Sequence, residues 1–286
     1  MLSGRKKSLN ILLLLCVSTT SFAADMLGNP AYIGVPGQFA IEIGGGKSSD
    51  FSVDIEKSTS TVTIGNLSQT GAEPAGFGKN SEDQVFIGAS YAINATTQIF
   101  ANFGNGKETG QQSSSRTLGF KISPEVDSSD VRMGLILRAQ QVDIDVDGPF
   151  SFTASINDGT NIHQTFGAVI NGTEQVEYTR FDAFFGASRN TGVFRPYGGL
   201  CLTKVSGTDT IALSDITTVT SFPVSGGAVT QTNERVTYNT KADISGSKYF
   251  TGVLGFSLHP GNNLGLTAEI QAGLQRALML SGNMGF

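Results

Sequence analysis

The last ten residues of the chain constrain its fold more than any other segment. Leu278, Leu280, Met284 and the terminal Phe286 share one parity, whereas small or polar residues occupy most of the other parity. Successive side chains of a strand point to opposite faces, so this segment is predicted to be a strand with one apolar face and one polar face. Met279 is the one large apolar residue on the polar side. A soluble protein rarely needs a strand that ends on an exposed Phe.

The start of the chain is predicted to be a secretory signal peptide over residues 1–23. Arg5, Lys6 and Lys7 precede a short apolar run, and small residues follow it up to a cleavage site after Ala23. The apolar run is too short to cross a membrane as a helix, which takes ~20 residues. Cleavage leaves Cys201 as the one cysteine, so we expect no intramolecular disulfide. It also removes three cations, which takes the net charge from −5 to −8 and argues against nucleic acid as a partner.

The composition favours a chain whose outer surface faces lipid. Charged residues make up 15% of the sequence, whereas soluble surfaces usually carry ~25–35%. After the signal peptide there is no run of 18 apolar residues, which excludes a helical membrane protein. A closed β-barrel is the other structure that satisfies every backbone polar group in lipid.

Alternation of apolar with small or polar residues recurs along the mature chain. The clearest hairpin joins 85–93 to 98–103 across a tight turn. Counting such segments predicts about ten antiparallel strands, an even number as membrane barrels require. Eight strands result if two weak segments drop out, and twelve result if 51–55 and 62–64 form a separate hairpin. We interpret 51–55 and 62–64 as extensions of long strands beyond the membrane.

The predicted connections are of two kinds. One set is short, at 94–96, 124–129, 188–193 and 259–263, and the other is mostly long and polar, at 47–83, 106–115, 149–173 and 206–247. Membrane-spanning barrels have short turns at one end and longer loops at the other. The chain is therefore predicted to be all-β, a closed antiparallel up-and-down transmembrane β-barrel formed by one domain, 24–286. A soluble β-sandwich explains the alternation but not this asymmetry.

Polar residues on the strands are expected to face the barrel lumen, because a charge on the lipid face costs ~2–4 kcal/mol at mid-membrane. The predicted lumen-lining residues are Glu42, Gln98, Asn102, Lys121, Arg132, Arg138, Arg180, Asp182, Glu269 and Gln271. In so narrow a barrel they either pair into a salt-bridged plug or line a narrow polar channel for ions or small solutes. Phe100, Ile136 and Phe184 share their parity and favour a filled bore.

No pattern in the sequence predicts catalysis, a cofactor or a metal site. His259 lies in a predicted turn and is expected to be solvated, and His163 lies in a predicted long loop where it can pair with a carboxylate. Asp143, Asp145 and Asp147 share one face of a strand. They form either a cation-attracting patch at the barrel mouth or a solvated strand end. We therefore expect that the protein is not an enzyme.

Two segments resemble known proteins at the level of residues. Leu278, Leu280, Met284 and Phe286 resemble the C-terminal signal that the barrel assembly machinery reads, and Pro196-Tyr197-Gly198 resembles a recurrent strand of small outer-membrane barrels. As a pattern, the whole mature chain is similar to the broad superfamily of small bacterial outer-membrane β-barrels, the OmpA-like, OmpW-like and porin-like proteins. It is similar to the ten-stranded omptin proteases in size alone.

The resemblance implies export through the periplasm to the outer membrane of a Gram-negative-type bacterium. The implied partners are periplasmic chaperones, the assembly machinery, outer-membrane lipid or lipopolysaccharide, and small solutes or ions. The first functional hypothesis is a small porin-like channel or an envelope-structural barrel. The alternatives are a surface adhesion or binding protein that acts through long extracellular loops and, with less support, an enzyme at the barrel rim that uses His163 with Asp143 and Asp145.

Overall fold

A computed structural model describes residues 26–286 except 57, 74–75, 109–110, 125–129, 246–248, 262 and 274–275. The predicted signal peptide, 1–23, and most of the predicted turn at 124–129 lie outside the described residues. In the described part of the chain, no helix is long and apolar enough to cross a membrane.

Thirteen antiparallel strands account for most of the described residues. In chain order they are β1 (Phe39–Ile55), β2 (Ser58–Ile64), β3 (Leu67–Glu73), β4 (Gly76–Asn94), β5 (Thr97–Glu108), β6 (Gln111–Ile122), β7 (Val131–Asn157), β8 (Asn161–Arg189), β9 (Phe194–Pro223), β10 (Thr230–Ser245), β11 (Tyr249–Gly261), β12 (Leu264–Gly273) and β13 (Arg276–Gly285).

Ten of these strands close into a ring in the order β1-β4-β5-β6-β7-β8-β9-β11-β12-β13. The last strand pairs with the first, from Ala40 opposite Gly285 to Ser49 opposite Arg276. The predicted closed antiparallel barrel of about ten strands is thus confirmed. Closure leaves neither of these two strands as an unpaired edge.

The outer wall of the ring is apolar and the inner wall is largely polar. Along β1, Phe39, Ile41 and Ile43 are exposed on the outside, and Leu278 and Leu280 of β13 are each 54% exposed. Exposed aromatic residues mark both edges of this apolar belt. Phe39, Tyr91, Phe194 and Phe286 lie at the lower edge, by the short turns and the C-terminus, and Phe103, Phe181 and Phe250 lie at the upper edge. An apolar band between two aromatic girdles is the surface that a membrane-spanning barrel presents to lipid.

The segments predicted as long polar loops are instead strands. β7, β8 and β9 continue past the belt and join β10, β2 and β3 in a six-stranded extension at the upper end. Apolar residues from this sheet form a separate buried core: Ile64, Ile156, Ile170, Leu213, Val219 and Val236. The prediction of polar loops was wrong because many Thr and Ser residues separate these core positions, although β-branched Thr favours strands.

The prediction for 51–64 was half correct. Residues 51–55 continue β1, as expected. Residues 58–64 do not extend a barrel strand but form the β2–β3 hairpin, in which Ile64 lies opposite Leu67. β2 also pairs with β10 from Thr59 to Ile64, and the hairpin therefore belongs to the extension and not to the ring.

The residues before β1 lie inside the barrel. We call residues 26–37 the inner segment. Met26, Leu27, Asn29 and Ala31 of this segment are buried. Gly37 adopts a φ of 78°, which is accessible to Gly at little cost, and its N–H donates to the carbonyl of Ala92 where the chain turns into β1.

Candidate functional site in the barrel interior

Glu269 of β12 attaches the inner segment to the wall. Its carboxylate accepts hydrogen bonds from the N–H groups of Leu27 and Gly28, at 3.1 Å and 2.8 Å. The Tyr197 hydroxyl and the Gln271 amide donate to the same carboxylate, each at 2.8 Å. Glu269 is 1% exposed, so these donors stabilise a carboxylate that is shielded from water. Contrary to expectation, it is satisfied by neutral donors rather than by a cation.

A buried ion-pair network lies beside the inner segment. Arg138 Nε is 2.8 Å from Asp182 Oδ2, and Arg180 Nε is 3.0 Å from Asp182 Oδ1. The Arg138 and Asp182 side chains are 0% exposed and that of Arg180 is 5% exposed. Arg138 also donates to the carbonyl of Met26 at 2.8 Å, which connects the network to the inner segment. These three residues form a salt-bridged layer across the wall strands β7 and β8, in agreement with the plug hypothesis.

Apolar side chains fill the bore around and above this layer. Leu27 packs with Ile136, Phe184, Tyr197, Cys201 and Val253, and Phe100 packs against the same cluster. Higher up, a second cluster joins β7, β8, β9 and β10; it consists of Val142, Ile144, Tyr178, Val205 and Ile244. Inward-facing Ile136, Phe184 and Val142 are 0% exposed. The interior of the described barrel is therefore a packed core over these levels, not a water-filled bore.

A cavity of about 100 Å³ with both polar and apolar lining residues remains in the lower half of the barrel. Four of the predicted lumen residues line it together with the inner segment: Glu42, Gln98, Asn102 and Lys121. Gln98 Oε1 accepts a 3.4 Å hydrogen bond from the N–H of Gly34. The cavity brings residues of opposite charge together, and its volume is large enough to hold a few water molecules.

The predicted lumen residues all share the inward parity, but Arg132 does not lie within the bore. It is exposed at the lower rim, where it lines a second cavity with Asn29, Ser188 and Arg195. It is the second residue of β7, which begins at Val131, so its place at the strand end leaves it in solvent. Its neighbour Ser188 accepts a 3.0 Å hydrogen bond from the Asn29 amide.

The structure corrects one sequence-based expectation and decides between two alternatives that the sequence left open. His259 is not a solvated turn residue, because its ring lies 4.0 Å from that of Tyr32 in the inner segment. Tyr32 also contacts Arg195, whose guanidinium carbon lies 4.6 Å from the centre of the Tyr32 ring. Asp145 and Asp147 are exposed on the outer face of β7, opposite the inward residues of that strand. Of the two alternatives for this group, solvated residues on a strand therefore agree with the structure, and a cation-attracting patch at the barrel mouth does not.

Acidic residues also lie within the extension. Glu174 and Asp209 are partly buried, and burial raises the pKa of both carboxyl groups above their ordinary values; the charge of Asp209 adds to the effect on Glu174. Asp209 Oδ1 is buried without a hydrogen-bond partner among the described residues. The extension therefore holds at least one destabilising buried carboxylate at neutral pH.

Comparison with known proteins adds only structural likeness. No protein-family model matches the chain, and no curated protein matches it in sequence. Among solved structures, the chain is similar to the outer-membrane protease OmpT of Escherichia coli, with 10% identity, a TM-score of 0.45, and coverage of 88% of this chain and 97% of that one. The outer-membrane protein OprG of Pseudomonas aeruginosa gives 10% identity, a TM-score of 0.36, and coverage of 88% and 98%. The attachment invasion locus protein Ail of Yersinia pestis gives 10% identity, a TM-score of 0.26, and coverage of 88% and 100%.

The ring closure and the apolar belt decide the fold class on their own. The fold is that of an outer-membrane β-barrel. In this barrel the residues singled out on the terminal strand lie as predicted: Leu278, Leu280 and Phe286 are exposed on the outside, and Met284 shares their face.

The sequence did not reveal the inner segment as part of the barrel interior. One signal was present, because Met279 interrupts the polar face of the last strand. In the barrel Met279 is 0% exposed and packs against Met26, Phe86 and Ala277. A large apolar residue on a lumenal face indicates that something apolar fills the lumen beside it.

Proposed function

We propose that this protein is a closed barrel in the outer membrane of a Gram-negative-type bacterium and that its working surface is the extension, outside the cell. The observation that carries the proposal is the Arg138–Asp182–Arg180 layer with the inner segment packed beside it. Buried ion pairs and 0% exposed apolar residues in the bore are features of a structural core. The short turns and the C-terminal Phe286 lie at the opposite end, which is the periplasmic end in this class of barrel.

Planar-bilayer recording tests the closed barrel. The purified, folded protein is expected to show no conductance steps, and a porin of known conductance in the same membranes is the positive control. Reproducible steps from the intact protein would overturn the proposal.

A narrow channel for ions or small solutes is the second candidate, favoured by the cavity that the charged residues Glu42 and Lys121 line. Conduction through the barrel requires the inner segment to leave the lumen. A variant that lacks residues 26–33 separates the two functions. The apolar cluster around Val142 and Ile244 stays in place in this variant. We therefore expect the truncated barrel to remain silent, and sustained conductance from it would favour the gated channel.

Binding at the cell surface is the function that the extension supports. It is a packed sheet with its own core, so its outer face and turns are held in fixed positions, as in a binding surface built on a rigid scaffold. Cells that express the full chain are compared with cells whose chain lacks the β2–β3 hairpin, in attachment to protein-coated and polysaccharide-coated surfaces. Equal attachment and equal envelope resistance to detergent would remove the support for a binding role of this hairpin.

Lipopolysaccharide is the lipid partner that we propose. Basic residues lie exposed on the outer face just above the apolar belt: Lys47, Arg116, Lys204 and Arg276. Cations at that height face the phosphate groups of the outer leaflet, and Arg and Lys bind phosphate by charge-assisted hydrogen bonds. Co-purification of lipopolysaccharide with the wild-type barrel, and its loss when all four are replaced by Gln, would support this contact.

A further inference from the structure

A chain of hydrogen bonds joins three side chains at the tip of the extension. Ser221 Oγ is 2.8 Å from His163 Nδ1, and His163 Nε2 is 3.0 Å from Asp158 Oδ2. The His163 side chain is 17% exposed and that of Asp158 is 25% exposed, so the group is sheltered yet reachable from solvent. These three residues lie outside the barrel interior and its cavity.

Three different elements position the group. Asp158 lies in the turn between β7 and β8, where its Oδ1 accepts hydrogen bonds from the N–H groups of Thr160 and Asn161, at 2.7 Å and 2.6 Å. These bonds fix the carboxylate so that Oδ2 faces the imidazole. His163 on β8 and Ser221 on β9 are direct register partners, so their side chains lie side by side on one face.

The proton positions follow from the charge of Asp158. Hydrogen bonds from Asn161, His163 and Thr160 lower the pKa of Asp158 to about 2. The carboxylate is therefore ionised at neutral pH and only accepts, so a neutral His163 donates Nε2–H to it. Nδ1 is then the free acceptor, and the Ser221 hydroxyl donates to it. A serine that donates to a histidine oriented by a carboxylate is the arrangement of an activated nucleophile.

Apolar core residues lie next to the group on the neighbouring strands. Ile156 is the register partner of His163 on β7, and Val219 precedes Ser221 by two residues; both belong to the buried core of the extension. The β8–β9 ladder is interrupted directly below the pair, between Gln164–Thr220 and Gly172–Leu213. Acyl transfer requires donors for the oxyanion, and backbone N–H groups in an interrupted ladder are candidates for this role.

We propose that Ser221, His163 and Asp158 form a catalytic triad that hydrolyses carboxylic esters. Ser221 Oγ attacks the carbonyl carbon while its proton passes to His163 Nδ1. The ester C–O bond then breaks, and His163 returns the proton to the leaving alcohol. Water attacks the acyl-serine with His163 as the base, which releases the carboxylic acid and restores the serine hydroxyl. Asp158 orients the imidazole and stabilises its cationic form.

The test uses the purified, folded full-length barrel with a fluorophosphonate probe and with p-nitrophenyl butyrate. We expect one adduct, mapped to Ser221 by mass spectrometry, and ester hydrolysis above the detergent blank. Ser221→Ala should abolish the adduct, and His163→Ala should slow both reactions by about 10²–10⁴-fold, the usual contribution of a general base. Ser155→Ala is the matched control, because this exposed serine of the same extension bonds Gln164 and not the histidine.

A second variant separates catalysis from a merely structural hydrogen bond. In Ser221→Cys the thiol takes the place of the hydroxyl, and His163 should accelerate its alkylation by iodoacetamide at neutral pH. The double variant Ser221→Cys/His163→Ala should react at the rate of an ordinary thiol. The buried Cys201 provides an internal unreactive reference. Absence of an adduct at Ser221 in the folded protein, or equal alkylation with and without His163, would overturn the proposal.

Discussion

The main-chain amide of Gly28 donates a 2.8 Å hydrogen bond to Glu269 Oε2, which joins two residues 241 positions apart. Together with the amide of Leu27, it binds the start of the described chain to the strand before the last. One carboxylate thus holds the inner segment against the wall, and the packing of the lower interior depends on it.

Replacement of Glu269 by Ala should destabilise the barrel and release the inner segment. Three buried donors and the partly buried N–H of Gly28 lose this acceptor. Since an unsatisfied buried donor costs ~1–3 kcal/mol, we expect a loss of at least about 3 kcal/mol in the free energy of unfolding. Denaturant unfolding in detergent measures this loss. Glu177→Ala, which removes an exposed carboxylate of β8, is the control and should change little.

The packing of the inner segment can be tested without changing the segment itself. A Cβ at Gly134 would lie 2.0 Å from the Pro30 carbonyl oxygen and 2.9 Å from the Ala31 nitrogen. Gly134→Ala should therefore displace the segment, and chymotrypsin should cut after Tyr32 in the variant but not in the wild type. In Gly148→Ala nothing lies within 4 Å of the new Cβ, so this control should stay resistant. Equal cleavage of all three proteins would contradict the buried position of the segment.

Among the three residues of the salt-bridged layer, Asp182 is the one whose replacement by Ala is expected to destabilise the barrel most. Asp182→Ala leaves two buried guanidinium groups without this counterion. Breaking a buried pair in this way costs about 3–5 kcal/mol, whereas replacing all partners by apolar residues is often neutral. We expect the triple variant Arg138→Met, Arg180→Met, Asp182→Leu to unfold at a higher denaturant concentration than Asp182→Ala. The opposite order would show that the charges contribute more than their packing.

The extension should become more stable as the pH falls. The folded-state pKa values of Glu174 and Asp209 are raised, so the folded extension binds protons more tightly than the unfolded chain does. The favourable contribution is present below the ordinary pKa values and is lost as the pH rises through the raised ones. Asp209→Asn should therefore raise the melting temperature at neutral pH by on the order of 2 °C and flatten its dependence on pH. Scanning calorimetry of the two proteins across mildly acidic to neutral pH provides the measurement.

Removal of Phe286 should impair assembly more than it harms the finished wall. The N–H of Phe286 donates a 2.8 Å hydrogen bond to the carbonyl of Phe39, so the deletion removes one backbone hydrogen bond between the last and the first strand. The level of folded protein in the outer membrane should fall, whereas the melting temperature of the protein that does insert should change little. Phe250→Ala is the matched control, because Phe250 is 65% exposed on the belt and Phe286 is 68% exposed. Normal insertion of the truncated chain would contradict an assembly role for Phe286.

The wall was predictable because its pattern is local. Alternation along β1 or β13 is visible within a few residues, and the lipid requirement fixes which face is apolar. The inner segment has no such pattern, since its partners are Glu269, Arg138 and Ser188, far away in the sequence. The pairing of Asp182 with Arg138 likewise depends on the register between β7 and β8, which the local sequence does not show.

The extension was missed for a different reason. Inward residues such as Leu213 and Val219 are spaced among Thr and Ser, so the mean hydropathy of the segment is that of a loop. The β-branched content of 206–247 was the available signal. The sequence predicts that His163 can pair with a carboxylate, and Asp158 is that partner. Ser221 could not be found from the sequence, because it meets His163 only through the pairing of β8 with β9.

The buried position of Met26 has a practical consequence for handling this protein. An affinity tag fused directly ahead of Met26 has to share a lumen that Phe86, Ala277 and Met279 already fill around that residue. Such a fusion would displace Met26 from this cluster, and measurements on the tagged protein would describe a barrel with an altered interior. Labels for purification or imaging belong in the turn at 224–229 between β9 and β10, where they leave both the lumen and the closing strand untouched.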